Sequence, residues 1–425
     1  AFMGSDVSAI IKYTRDVVYL DHGQICEVRR DGIKVEDLDG NPVQHEVVHV
    51  DWDDSAAEKD GFPHFMLKEI HQQPEVIRNT LRGRISDDAS DVNLSDINIS
   101  EADIKACPRI TIVACGTSWH AGMVGKYLIE RFAEIPVELD LASEYRYRDP
   151  IVEKNAIVIP VSQSGETADT MEAVRLAKSQ GARILAVVNT VGSSVARESN
   201  GVIYLQAGPE VSIASTKAYT TQVTAFALLT IWLARIRGTM TKDQAKDMIA
   251  ELRTLPDKMQ LVLNNQEPIK ALAGKQKYRD AQSAFFLGRD YNYPSALEGS
   301  LKLKEVSYIH AEAYPAGELK HGPIALVTNE MPVICVAPKG NIYDKMVSNI
   351  QSIKARAGLV ISIATEGDTA IQAYSDDVLY IPECYEPFSP ILVALPLQLF
   401  AYYVAVNRGC DVDQPRNLAK SVIVE

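Results

Sequence analysis

The sequence has few cysteines and no segment typical of export. Its six cysteines are scattered over 425 residues without a CxxC pair, which is typical of reduced thiols in a cytoplasmic protein. Residues 1–10 lack a basic start followed by an apolar run, so we expect no signal peptide. The two longest apolar stretches, 223–234 and 391–406, are too short or interrupted by polar residues and proline for membrane spans. We expect each to be a buried helix, and expect no membrane partner.

Positive charge is also scarce. The chain has 43 Lys and Arg against 56 Asp and Glu, a net charge of -13, which argues against a nucleic-acid-binding surface. It contains no GxxxxGK[ST] nucleotide loop and no HExxH or comparable histidine cluster. We therefore expect no metal and no cofactor. With 46% apolar and 23% charged residues, the composition is that of a globular protein of two to three domains.

Two long segments of the chain are copies of each other, offset by roughly 175 residues. The matched stretches are 110–116 with 284–288, 142–144 with 316–318, 183–186 with 359–362, 202–204 with 378–380, and 220–222 with 396–398. A period of this length indicates a duplicated domain and not a solenoid.

Each copy has the pattern of an α/β domain with a doubly wound parallel sheet. Short apolar runs at 157–161, 184–188 and 202–205 predict buried strands, with a helix over 170–179 between two of them. Ligands of such sheets bind beyond the carboxyl ends of the strands. Further runs at 17–20, 25–28 and 33–36, separated by Gly-containing turns at 21–23, 30–32 and 39–41, predict a β-meander before the first copy.

These patterns divide the chain into five parts. We expect a β-rich segment at 1–55, a linker with helices at 56–105, a first domain at 106–240, a second at 241–410, and a C-terminal tail at 411–425 that closes the site. The acidic stretch 86–101 is expected to be solvated.

The first copy carries the residues expected to bind a phosphate. Ser162-Gln163-Ser164-Gly165-Glu166-Thr167 follows a predicted buried strand and precedes a helix, where backbone N–H groups and hydroxyls can surround an anion. Cys115-Gly116-Thr117-Ser118 and the polar loop 213–217 have similar chemistry. The alternative is that these Ser and Thr residues merely cap helices.

The second copy carries candidate acid–base residues instead. Spacings of four and three residues place Glu298, Lys302 and Glu305 on one face of a predicted helix. An exposed salt-bridged stripe is the alternative interpretation. His321 lies in a loop bordered by glycines, a setting that favours an acid–base role over a purely structural one.

The chain resembles the glutamine-dependent fructose-6-phosphate aminotransferases, whose isomerase half consists of two sugar isomerase (SIS) domains. The resemblance covers essentially the whole chain. Its motifs are 115–118, 162–167, 214–217, 312–323 and the tail sequence Asp413-Gln414-Pro415-Arg416-Asn417-Leu418-Ala419-Lys420-Ser421-Val422. It implies conversion of fructose 6-phosphate and ammonia to glucosamine 6-phosphate, with glucose 6-phosphate as a related ligand.

The resemblance also implies roles for single residues. Lys420 would form a Schiff base with the open-chain sugar, Glu305 would move a proton between C1 and C2, and His321 would assist ring opening from the partner subunit of a homodimer. Lys302 and Glu298 would support them. The sugar phosphate would be bound by Cys115, Gly116, Thr117, Ser118, Ser162, Gln163, Ser164, Thr167, Ile213, Ser215 and Ala419.

One expectation departs from the family. Its glutaminase uses an N-terminal cysteine, whereas residues 1–55 resemble only the end of that domain, so we expect no glutamine hydrolysis by this chain. A sugar-phosphate-binding regulator, or a deglycase or simple isomerase of the same fold, remains an alternative. A regulator would need the phosphate loop but not Lys302, Glu305, His321 and Lys420.

Overall fold

The structure is a computed structural model that describes residues 1–4, 10, 13–20, 23–30, 32–49, 58–94 and 97–422. Its N-terminal part contains β1 (Asp16–Val17), β2 (Gln24–Arg29), β3 (Gly32–Asp37) and β4 (Val48–His49). β2 and β3 form an antiparallel hairpin, and β1 pairs with β4. The predicted strands at 25–28 and 33–36 are confirmed, whereas the one at 17–20 is a strand only at its first residue. Of the predicted turns, residues 21–22 and 31 lie outside the described residues.

Two helices precede the first domain, α1 (Phe65–Leu81) and α2 (Glu101–Ala106). The prediction of a solvated stretch at 86–101 is wrong for its apolar residues. Val92, Leu94 and the pair Ile97 and Ile99 are buried in the main hydrophobic core. The acidic residues around them dominate the composition, but the alternating apolar side chains dock the segment onto the core because their burial is favourable.

The first domain is a five-stranded parallel sheet flanked by helices. Its elements are β5 (Ile110–Ala114), α3 (Gly116–Ala133), β6 (Val137–Leu141), α4 (Ala142–Tyr145), β7 (Ile157–Ser162), α5 (Ala168–Ser179), β8 (Arg183–Val188), α6 (Ser194–Glu198), β9 (Gly201–Tyr204) and α7 (Lys217–Arg237). The strand order is β6-β5-β7-β8-β9. β5 and β7 are buried along their whole length, as expected for central strands covered on both faces.

The second domain repeats this architecture. Its elements are α8 (Lys242–Asn264), α9 (Glu267–Gly274), α10 (Gln276–Arg279), β10 (Ser283–Gly288), α11 (Asn292–Ser307), β11 (His310–Pro315), β12 (Pro332–Ala337), α12 (Tyr343–Lys354), β13 (Leu359–Thr365), β14 (Asp377–Ile381) and α13 (Ser389–Asn407). The order β11-β10-β12-β13-β14 corresponds strand by strand to the first sheet. The duplication inferred from the sequence is therefore confirmed.

The apolar stretches 223–234 and 391–406 lie in α7 and α13, which occupy equivalent places in the two domains. α13 is long and apolar enough to cross a membrane by length and composition, but 89% of its most apolar window is buried inside the protein. Both helices pack in the main hydrophobic core. The prediction of a buried helix at the end of each domain is confirmed.

Candidate functional site

The loop between β7 and α5 contains the predicted phosphate-binding residues. The Gly165 amide donates to Ser162 Oγ at 2.9 Å, and the Glu166 amide donates to Ser164 Oγ at 3.2 Å. Gly165 has φ +68°, and a Cβ there would lie 2.1 Å from Ser193 Oγ, so this tight turn requires glycine. Thr167 occupies the N-cap of α5 without a side-chain capping bond. Capping of α5 therefore does not account for a hydroxyl-bearing residue at position 167.

The loop between β5 and α3 lies at the same sheet edge. Gly116 has φ +54°, a conformation that glycine adopts readily, and it is exposed. A ligand could therefore approach its backbone closely. Ser118 is buried, and its hydroxyl accepts a hydrogen bond of 2.9 Å from Gln222 Nε2 of α7. Burial raises the pKa of the Cys115 thiol, which favours the neutral form over a nucleophilic thiolate.

The third polar loop surrounds a buried carboxylate, Glu210, whose side chain is 0% exposed. It accepts hydrogen bonds from Ser215 Oγ (2.9 Å), the amides of Thr216 (2.9 Å) and Ala218 (3.1 Å), and Lys420 Nζ (2.8 Å). Burial by itself would raise the pKa of Glu210, but Lys420 and the backbone donors together lower it to about 2. Glu210 is thus an anion paired with the tail lysine.

The C-terminal tail is attached to the first domain at several points. Lys420 Nζ also donates to the carbonyl of Ser212 at 2.7 Å. The carbonyl of Val422 accepts from the amide of Ala168, the first residue of α5, at 3.1 Å. Asp413 accepts from the amide of Ile213 through its carbonyl at 3.1 Å. The tail therefore runs beside both the third polar loop and the end of the predicted phosphate-binding loop (162–167), while Ala419 is exposed.

The predicted face of α11 forms a buried ion-pair cluster. Lys302 is 0% exposed, and its Nζ lies 2.6 Å from Glu305 Oε2 and 3.5 Å from Glu298 Oε1. Burial by itself would lower the pKa of Lys302, but the two carboxylates outweigh it and raise the pKa above its ordinary value. The interpretation as an exposed salt-bridged stripe is therefore wrong, because this face lies inside the protein.

This cluster joins the two domains. Thr117 Oγ1 of the first domain donates to Glu298 Oε1 at 3.1 Å and lies 3.2 Å from Lys302 Nζ. The charge of Glu210 also contributes to raising the pKa of Lys302, so the third polar loop is close enough to act on α11 electrostatically. The contacts thus form two groups, one of Thr117, Glu298, Lys302 and Glu305 and a second of Glu210, Ser215 and Lys420.

Two residues of this site were not predicted from the sequence. His120 is buried on α3, one turn after Thr117, and its Nδ1 lies 2.8 Å from Glu298 Oε2. The spacing of three residues from Thr117 is the only sequence signal for it. Glu210 has no such signal, because it lies alone in an irregular segment.

His321 is not brought to this cluster. It ends a 3₁₀ helix over Glu318–His321 and is exposed. Among the described residues, its side chain makes no hydrogen bond or ion pair with another candidate residue. Within all the ranges that the structure describes, no group of three or more His, Cys, Asp or Glu residues could hold a metal ion.

A second buried carboxylate, Glu69 of α1, lies next to Glu210. Its Oε1 accepts from the amide of Ser212 at 3.2 Å, whereas Oε2 has no donor among the described residues. Burial, reinforced by the charge of Glu210, raises the pKa of Glu69 to about 7, although Lys420 and Lys217 oppose this change. At this position a protonated carboxyl costs less free energy than an anion, because one of the two oxygens of the anion would have no donor among the described residues.

Glu69→Gln should therefore weaken the pH dependence of stability. Between its ordinary pKa of 4.5 and about 7, Glu69 is protonated in the folded protein but ionised in the unfolded chain, so stability falls as pH rises through this range. The substitution removes this loss in the free energy of unfolding, which amounts to at most about 3 kcal/mol. Urea unfolding at pH 5, 6, 7 and 8 measures it, with Glu75→Gln on the exposed side of α1 as the matched control. Equal pH slopes for wild type and Glu69→Gln would contradict the prediction.

Comparison with known proteins identifies the family to which the two domains belong. The SIS domain family matches residues 103–232 and 277–408, which contain the two sheets. Proteins named glutamine–fructose-6-phosphate aminotransferase [isomerizing] from Caldanaerobacter subterraneus subsp. tengcongensis and Thermus thermophilus are each 50% identical over 424 residues, covering 100% of this chain and 69% of the relative.

Solved structures show the same likeness. The C-terminal domain of glucosamine-fructose-6-phosphate aminotransferase from Francisella tularensis is 40% identical, with a TM-score of 0.80 over 84% of this chain and 100% of that one. A glucosamine-6-phosphate deaminase from Thermotoga maritima shares the fold at 22% identity and a TM-score of 0.66, over 85% of this chain and 100% of that one. The chain therefore belongs to the glutamine–fructose-6-phosphate aminotransferase family and contains its two SIS domains.

Proposed function

We propose that this chain binds fructose 6-phosphate at the junction of its two domains and converts it, with ammonia, to glucosamine 6-phosphate. One observation carries the proposal. The contact of Thr117 with Glu298 and Lys302 places the acid–base face of α11 against the first domain, and the tail brings Lys420 to Ser215 through their shared partner Glu210. A nucleophilic amine, a carboxylate and hydroxyl donors are thus available to one small sugar.

The phosphate group is bound by the loop that ends β7. Ser162, Ser164 and Thr167 supply hydroxyls, Gln163 an amide, and α5 its positive N-terminal end. Thr117 and Ser118 bind from the neighbouring loop. The same sugar is contacted by backbone atoms or short side chains of Cys115, Gly116, Ile213, Ser215 and Ala419.

The carbon chemistry belongs to Lys420 and Glu305. The neutral amine of Lys420 attacks the carbonyl carbon C2 of the open-chain sugar, and water leaves to give an iminium, which acidifies the hydrogens at C1. Ammonia then displaces Lys420 from C2 and leaves the free imine of the sugar. Glu305 removes a proton from C1 and returns it to C2, the O1 proton passes to the nitrogen, and the product has an aldehyde at C1 and an amino group at C2. Oε2 of Glu305 lies 2.6 Å from Nζ of Lys302, and this ion pair holds the carboxylate in place.

His321 acts from a second copy of the chain. Its exposed position on the Glu318–His321 turn suits contribution to the site of the partner subunit in a homodimer, where it assists ring opening of the sugar. The scattered cysteines favour a cytoplasmic protein, and the negative net charge argues against nucleic acid or an anionic membrane as a partner. No cofactor is needed for this chemistry.

The test is incubation of the chain with fructose 6-phosphate and ammonium, with separate assays for glucosamine 6-phosphate and glucose 6-phosphate. A parallel reaction contains glutamine in place of ammonium, and Lys420→Arg is the control, because it keeps the charge but removes the nucleophilic amine. We expect glucose 6-phosphate in both reactions and amino sugar with ammonium. If the wild-type chain binds the sugar phosphate but forms neither product, the proposal fails in favour of a regulator.

A further inference from the structure

Glu210 is a buried carboxylate for which the proposed mechanism has no role. Three of its four donors, Ser215, Thr216 and Ala218, lie within eight residues of it along the chain. The fourth, Lys420, comes from the C-terminal tail, 210 residues away. Donors close in sequence thus surround the Glu210 carboxylate, and the last donor is Lys420, the residue on which the proposed chemistry depends.

The described part of the tail has few other anchors near this point. Asn417, Leu418 and Ala419 are exposed, and the carbonyl of Val422 is bonded to the amide of Ala168. The Lys420 side chain is 17% exposed and pairs with a fully buried carboxylate. Charge-assisted hydrogen bonds of this kind are roughly twice as strong as neutral ones. Together with the bond from Nζ to the carbonyl of Ser212, the Lys420–Glu210 ion pair therefore attaches the last described tail residues.

We propose that Glu210 is a positioning residue for the isomerase reaction, because its carboxylate holds Nζ of Lys420, and with it the end of the tail, beside the sugar-binding hydroxyl of Ser215. The proposal rests on the function proposed above for Lys420. Glu210 itself makes no contact with the reacting carbons. It keeps the amine in the site before a sugar phosphate arrives.

The same geometry explains how the lysine can be released. Before it attacks the carbonyl, Lys420 has to release one proton to the solvent, to which its side chain is 17% exposed, and leave the ion pair as a neutral amine. Glu210 then retains three donors, Ser215 Oγ and the amides of Thr216 and Ala218, which still compensate its burial. The positive charge of Lys217 also interacts favourably with Glu210, so the carboxylate does not become an isolated charge. The contact is strong enough to place the amine and can still be broken during turnover.

Hydrogen–deuterium exchange at the Ala168 amide tests this directly, because that amide is bonded to the tail carbonyl of Val422. We expect Glu210→Gln and Lys420→Gln each to accelerate exchange of this amide about 10- to 100-fold in the absence of sugar. This factor corresponds to the loss of one hydrogen bond to a charged group. The double variant should exchange at the rate of Lys420→Gln alone, because that single variant already removes the contact with Glu210. Lys178→Gln, an exposed lysine of α5 paired with Glu198, is the matched control and should leave exchange unchanged.

Kinetics distinguish positioning from a general structural role. Glu210→Gln should lower kcat for isomerisation and the rate of borohydride trapping of sugar on Lys420 about 10- to 100-fold, while the KM for fructose 6-phosphate changes little because the phosphate loop is intact. If Glu210→Gln fails to fold, Lys420→Gln provides the exchange test alone, since it leaves Glu210 with three donors.

Two results would overturn the inference. One is an Ala168 amide that stays protected in both single variants. The other is a Glu210→Gln enzyme whose kcat equals that of the wild type. Failure of the proposed function is separately visible, because it would appear as isomerase activity retained by Lys420→Gln, whatever the exchange rate of Ala168.

Discussion

Glu305→Gln is expected to slow the interconversion of fructose 6-phosphate and glucose 6-phosphate by a factor of about 10² to 10⁴, the usual contribution of a positioned acid–base group. The amide can occupy the same space beside Lys302 but cannot accept a proton from C1. The sugar phosphate should still bind, because Glu305 lies on α11 and the phosphate loop belongs to the first domain. Steady-state isomerase kinetics with both sugars, together with sugar-phosphate binding by calorimetry, measure the effect.

The matched control is Glu267→Gln, which removes a carboxylate whose side chain is 79% exposed at the start of α9. This variant should retain wild-type kcat and KM. Solvent hydrogen exchange into C1 of bound sugar gives a second readout, since Glu305→Gln should suppress it together with turnover. A Glu305→Gln enzyme with normal isomerase activity would remove Glu305 from the mechanism.

Lys302→Met is expected to lower the free energy of unfolding by about 3–5 kcal/mol, because it leaves buried carboxylates without their cation. Lys302 is completely buried between Glu298, which is 2% exposed, and Glu305. Methionine fills a similar volume, so the loss comes mainly from the unpaired charge and not from a cavity. Urea denaturation at pH 7.5 measures the difference.

A second substitution tests this cause. In the double variant Lys302→Met/Glu298→Gln, the neighbouring buried charge is also removed, and stability should recover in part although two polar contacts have been changed. The side-chain amide introduced at position 298 still has an oxygen that can accept a hydrogen bond from Thr117 or His120, which contact this position in the wild type. Equal destabilisation of the single and double variants would show that packing, and not the unpaired charge, holds this helix in place.

The sequence was sufficient for the architecture because local patterns specify it. Fully apolar runs such as those in β7 and β8 have one stable environment, the centre of a covered parallel sheet, and the repeated spacing of strands and glycine-bordered loops identified the second domain as a copy of the first. The Ser162–Thr167 motif was likewise found from position alone, because a loop after a central strand must lie at the ligand-binding edge of the sheet.

Local composition and spacing gave wrong predictions of exposure where burial depends on residues distant in the sequence. The segment 86–101 is acidic, yet its apolar residues reach the core. The face of α11 has the spacing of a surface salt-bridge stripe, and only contact with Thr117 and His120 of the first domain makes it a buried cluster. Spacing within a helix gives the relative directions of side chains but not what lies opposite them.

The amino-acid sequence by itself determined the two domains, the phosphate loop and the identity of the residues on the α11 face, since each depends on neighbours within a few positions along the chain. The tertiary structure alone decided that Glu210 pairs with Lys420 across 210 residues and that Glu69 lies beside them, its Oε2 without a donor among the described residues. Such pairs leave no periodic signal, because a buried carboxylate acquires its charge state from whatever the fold brings against it.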